Sequence, residues 1–191
     1  MTPSISEIFS TGRKAARGVG LGWGHADEAG RAASWLWYHG VDGIGALAHL
    51  LAEHDTRDVA DHCPLGLGTR ICDLPPETSV DIRDVISPIL LLSFAAELAK
   101  ITQKDYVLRF GEATYSASTT GMFCLNAGAM ERGDVVLSAA KASGTPLLPA
   151  PRRCVDETAW ATLNAFAHRT YAPATEASRL SGAGAGLSDN D

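Results

Sequence analysis

Apolar residues recur at helical spacing from the start of the chain: Ile5, Ile8, Phe9, Ala15, Ala16 and Val19. Ahead of them, Ser4-Ile-Ser-Glu7 has the spacing of a capping box. There the serine hydroxyl takes a free helix N–H and the glutamate reaches back to the cap. This helix is expected to stop at Gly18-Val-Gly20. A second helix follows, with Asp27 and Glu28 in its first turn, where the helix dipole favours anions. Its apolar stripe is Ala29, Ala32, Ala33 and Leu36, and Gly40 ends it. Asp42 is placed to cap a third helix running through Leu47, Leu50 and Leu51.

Residues 53–86 carry no strong period and contain Pro64, Pro75 and Pro76. Ser87-Pro88 then reads as an N-cap followed by an N1 proline. Residues 89–100 would form a buried helix, apolar on several faces. A strand at 89–94 leading into a short helix is the alternative.

Beyond residue 105 the period changes. Residues 106–110 alternate as a half-buried strand does, and 113–118 and 122–125 are further strands, with Gly121 between them. Gly133-Asp134 reads as a turn into a strand at 135–139. Short runs joined by short turns favour antiparallel hairpins. Asp156 is placed to cap a last helix through Trp160, Leu163, Phe166 and Ala167, with His168 and Arg169 in its final turn. Pro173 blocks continuation. The pattern predicts an α+β fold: a helical N-terminal half followed by a small antiparallel sheet covered by helices. Residues 1–191 are read as one domain, with 172–191 as a C-terminal arm.

Composition narrows the function only by exclusion. A net charge of −6 argues against a general nucleic-acid binder or an anionic-membrane binder. The longest apolar stretch, at 89–96, is too short to span a bilayer. Cys63, Cys72, Cys124 and Cys154 form no C-x-x-C pair, and the first residues do not resemble a signal peptide. A reduced, cytoplasmic setting is expected.

Candidate chemistry is sparse. Gly18-Val-Gly-Leu-Gly-Trp-Gly24 is not G-x-G-x-x-G and follows a helix rather than a strand. It reads mainly as a connector whose glycines permit tight helix packing, although backbone N–H groups there could hold an anion beside Trp23 and His25. On a continuous helix, His54, Asp58 and His62 would share a face, but the spacing matches no closed zinc site, and an Arg57 ion pair accounts for the segment as well. No metal site is assigned. Cys124 sits in an apolar stretch, where a thiol is inert. No nucleophile elbow is present, so no catalytic residue is assigned and the enzymatic status is left open.

The C-terminal end concentrates hydrogen-bonding groups. Thr175 could cap a short helix, with Glu176 and Arg179 as an i,i+3 pair. Gly182-Ala-Gly-Ala-Gly186 permits close backbone approach. The reading is an arm laid into a groove of this protomer or another. The candidate ligand-binding residues are Trp23, His25, Arg169, Tyr171, Glu176 and Arg179, and a small anionic metabolite at a subunit junction is the expected ligand. A non-catalytic homo-oligomeric assembly or partner-binding module is the alternative. The cofactor is unknown.

Residues 14–24, 28–33 and 169–191 together resemble an uncharacterised bacterial family, catalogued only as a domain of unknown function and found as a stand-alone chain of about this length. The resemblance extends over the whole chain. It implies no reaction, cofactor or catalytic residue.

Overall fold

Capping settles where the first helices begin. In the computed structural model, which describes residues 2–76, 79–128, 131–150 and 153–171, α1 (Ile5–Gly18) opens on the expected capping box. Glu7 N donates to Ser4 Oγ at 3.2 Å, and Ser4 N donates to Glu7 Oε2 at 2.7 Å. Helix α3 (Gly43–Thr56) is capped by Asp42, whose Oδ1 accepts from Gly45 N at 2.9 Å. The sequence reading needs correcting at α2 (Trp23–Tyr38). The chain enters this helix at Gly22, earlier than the acids suggest, so the first turn holds neither Asp27 nor Glu28. Asp27 lies beyond that turn and pairs with Arg13 of α1 at 3.3 Å.

The face of α2 built from small residues is what lets the helices close up. A Cβ on Gly30 would stand 2.5 Å from the Phe9 carbonyl oxygen of α1, and one on Gly43 would stand 2.5 Å from the Ala33 carbonyl oxygen of α2. The backbones are therefore in direct contact at both crossings. Helix α6 (Glu157–His168), capped by Asp156 through Ala159 N at 2.8 Å, returns to pack on α1 and α3 rather than on the sheet.

Residues 53–86 contain a helix and a strand that the pattern does not predict, besides a 3-10 turn at Ala60–His62. Helix α4 (Pro64–Cys72) carries two glycines of poor helix propensity, and Gly68 packs against the Phe94 ring. Strand β1 (Val80–Ile86) alternates at first, but a bulge between Ile82 and Val85 breaks its phase.

Strands β2 (Tyr106–Phe110), β3 (Ala113–Ser118) and β4 (Gly121–Asn126) form the expected meander. Strand β5 (Arg132–Ala139) inserts between β1 and β2, and the short β6 (Thr145–Pro146) closes the far edge. The described residues thus give six helices and one six-stranded antiparallel sheet, ordered β1-β5-β2-β3-β4-β6. Gly133-Asp134 is not a turn. Gly133 pairs with Val85, and Asp134 Oδ1 accepts Asp84 N across the bulge at 2.9 Å. The fold is α+β.

Helix α5 (Leu91–Thr102) joins the two halves. It packs on α2 and α4 on one side and on β2 and β3 on the other. One continuous apolar cluster results, running from Ile8 and Leu50 through Leu92 to Leu108 and Leu137. Residues 89–100 are therefore helical rather than a strand, entered through a 3-10 turn at Pro88–Leu90. Ser87 does not cap that turn with its side chain. Its backbone is left-handed (φ 46°, ψ 57°) and its hydroxyl points elsewhere. Among the described residues, no helix is long and apolar enough to cross a membrane.

Candidate functional site

The sequence-predicted site residues go to different places. Trp23, 63% exposed at the start of α2, lies under the Arg17 guanidinium at 4.5 Å and near Arg13 at 5.8 Å. Tyr171, 52% exposed, lies beneath Lys14 Nζ at 5.3 Å and meets the His168 ring edge-on. Both aromatics thus cover cations of one α1 segment, an arrangement that benefits from ring quadrupoles. His25 turns instead toward Gly66 of α4. Arg169 is engaged in two bonds to the Asp55 carboxylate of α3, the longer at 3.0 Å. That guanidinium holds the Asp55 carboxyl below its ordinary range. Glu176, Arg179 and the whole 172–191 arm lie outside the described residues.

The histidine-rich segment also separates. Helix α3 ends at Thr56, and His62 sits in a separate 3-10 turn, so His54, Asp58 and His62 do not share one helical face. Arg57 pairs with Glu53. His62 Nδ1 stands 3.5 Å from Asp84 Oδ2. Asp84, at the β1 bulge with φ 59°, takes both nitrogens of a bidentate Arg132 at 2.5 and 2.6 Å. This bonding lowers the Asp84 pKa and raises that of Arg132. Among the described residues, no group of three or more His, Cys, Asp or Glu side chains is placed to hold a metal ion.

A cleft of about 790 Å³ opens elsewhere, between the start of α3 and the sheet. One wall is the α2–α3 loop and the first turns of α3: Gly40, Val41, Asp42, Gly45, Ala46 and His49. The other is Tyr115, Cys124, Ala127, Gly128 and Leu147, with Ser87, Ile89 and Glu131 at the junction. Both walls are tied down. Arg153 donates to the carbonyls of Trp37, Gly40 and Val41 at 3.0 to 3.3 Å while stacking 4.0 Å over Trp37. Tyr115 Oη donates to Gly128 O at 3.3 Å. Burial pushes the Cys124 thiol pKa up.

At the junction, Ile86 pairs with Arg132, and Ser87 N donates to Glu131 O at 2.7 Å as the next rung of the β1–β5 ladder. The chain then turns left-handed at Ser87 and enters the 3-10 turn. That conformation costs a non-glycine residue about 1 kcal/mol or more. The turn aims Ser87 Oγ at His49 Nδ1, 3.0 Å away on α3. Glu131 Oε2 lies 3.9 Å from His49 Nε2, beyond hydrogen-bond length, on a carboxylate that is 86% exposed. Ser87 itself is only 2% exposed, yet it borders the cleft.

Sequence reasoning singles out none of Ser87, His49 and Glu131 as a site residue. Their separation along the chain hides them, and no motif links them. The one available signal is a lone titratable His49 between Leu47-Ala48 and Leu50-Leu51, on an otherwise apolar stretch of helix.

No curated protein matches the chain. A family-model match covers α1 through α4 and contains residues 14–24 and 28–33, which carry part of the resemblance to an uncharacterised family; the 169–191 segment lies outside it. Over residues 3–72 the chain matches the family described as "Protein of unknown function (DUF3726)".

Proposed function

We propose that this protein binds a small organic molecule in the cleft between α3 and the sheet. The observation that carries this reading is the cleft itself: about 790 Å³, within the range of ligand sites, with pinned walls and a few convergent polar groups at one end. Among the described residues its lining contains Asp42 and Glu131 but no lysine or arginine. A neutral or cationic ligand suits it better than the anionic metabolite expected from the sequence.

The anionic reading is supported at a different place. Arg13, Lys14 and Arg17 of α1, with Trp23 and Tyr171 beneath them, form a basic-aromatic face next to where the arm begins. Closure of a subunit junction by residues 172–191 belongs to that second reading.

A thermal-shift screen of neutral and cationic metabolites tests the first. A compound at a hundredfold its Kd adds about 2.7 kcal/mol to folded-state stability. The expected result is a set of compounds that raise the melting temperature of the wild type but not of Ala46→Trp, which fills the cleft. Compounds that stabilise both proteins equally, or none that stabilise the wild type, would overturn it.

A further inference from the structure

We infer that the cleft is a hydrolytic site in which Ser87 is the nucleophile and His49 its general base, acting on a neutral carboxylic ester. This rests on the cleft reading above. Three independent features converge on Ser87. Its Oγ lies 3.0 Å from His49 Nδ1, and that nitrogen is the partner its hydroxyl has among the described residues. A buried hydroxyl needs an acceptor for its proton, and a neutral imidazole nitrogen is one. The residue stands at a strand-to-helix turn in a left-handed conformation that glycine would adopt without strain, so a side chain is kept where the backbone does not favour one. And it borders the cleft, which puts the residue beside a bound molecule.

The roles follow from the geometry. With the Nε2–H tautomer, Nδ1 of His49 has its lone pair toward Ser87, and Nε2–H faces the Glu131 carboxylate at 3.9 Å. Ser87 Oγ attacks the ester carbonyl carbon while its proton passes to Nδ1. The tetrahedral adduct collapses, the C–O bond to the alcohol breaks, and the proton on Nδ1 leaves with the alkoxide. Water then gives its proton to Nδ1 and attacks the acyl-serine. Collapse returns the proton to Ser87 Oγ and releases the carboxylic acid. No oxidant or second substrate besides water is needed. Glu131, whose carboxylate lies 3.9 Å from His49 Nε2, acts through its charge, which favours the imidazolium that forms.

A neutral alkyl fluorophosphonate is the probe. Ser87 Oγ displaces fluoride, the P–O bond forms, and His49 takes the proton. The expected result is one adduct per chain on the full-length protein, located at Ser87 by peptide mapping. Ser87→Ala and Ser87→Gly should abolish it; the glycine variant suits the left-handed backbone and guards against misfolding. His49→Ala should slow labelling by about 10²- to 10⁴-fold. Glu131→Gln should lower the maximal labelling rate while leaving the apparent affinity for the probe unchanged. An adduct on any other residue, or labelling indifferent to His49→Ala, overturns the inference. No adduct, in a protein whose thermal-shift hits are still lost in Ala46→Trp, overturns the nucleophile and leaves the binding site standing. Absence of both overturns both.

Discussion

The outer face of α1 and the cleft beside α3 are built on opposite plans. On α1, three cations, two exposed aromatics and the nearby Arg169 crowd together, yet each contact is made at the surface, and Arg169 is already bonded to Asp55. In the cleft, one serine and one histidine meet, but the serine is buried, strained and pinned by a strand rung. The density of charged residues in a sequence therefore says little about where chemistry is concentrated. Exposed pairs are screened by water and contribute little each. A buried hydroxyl such as that of Ser87 has no water to replace its partner, so its bond to His49 sets how it behaves.

The comparison predicts that what holds the α1 region together is backbone contact, not the charges above it. Gly30→Val would force a side chain into the Phe9 carbonyl of α1, so a loss of about 3 kcal/mol or more is expected in a urea melt. A loss below about 1 kcal/mol would show that the helices separate easily.

Ser87→Gly sharpens the other side. It removes a hydrogen bond worth about 0.5–1.5 kcal/mol and relieves about 1 kcal/mol of left-handed strain. Stability should therefore change by less than about 1 kcal/mol, even as reactivity in the cleft disappears. A large destabilisation would mean that the serine is there to hold the fold.

Arg169→Ala should have the smallest effect, and its pH dependence identifies it. The Asp55 carboxyl is held below its usual 3.8 by the Arg169 bond. A depressed carboxylate contributes stability above its unfolded pKa and loses it as pH falls through the folded value. The difference between wild type and Arg169→Ala should be full at neutral pH and fade below pH 3.8. A difference that persisted in strong acid would assign the contribution to packing of Arg169 on Phe166, 4.6 Å away.

Local signals are legible where the local physics decides. The Ser4–Glu7 box, the Asp42 and Asp156 caps, the small-residue face of α2 and the β2–β3–β4 meander all depend on neighbours within a few residues, and all are readable. The reading fails where distant partners decide. Helix α4 forms despite Gly66 and Gly68 because α5 packs against it. Gly133-Asp134 lies in a strand because β1 runs beside it, Gly133 opposite Val85 and Asp134 bonded across the bulge. Asp27 falls outside the first turn of α2 because the chain enters the helix at Gly22. The candidate residues Trp23 and Tyr171 do come to one α1 segment, whereas His25 and Arg169 find partners on α4 and α3.

By itself, the sequence determined the fold class, the starts of α1, α3 and α6 and the alternation that makes the meander, because capping and periodicity act over one or two turns. Only the tertiary structure decided the insertion of β5 between β1 and β2, and with it the meeting of Ser87, His49 and Glu131. Side chains so far apart along the chain meet only when sheet order and helix packing place their elements together, and no local pattern encodes that order.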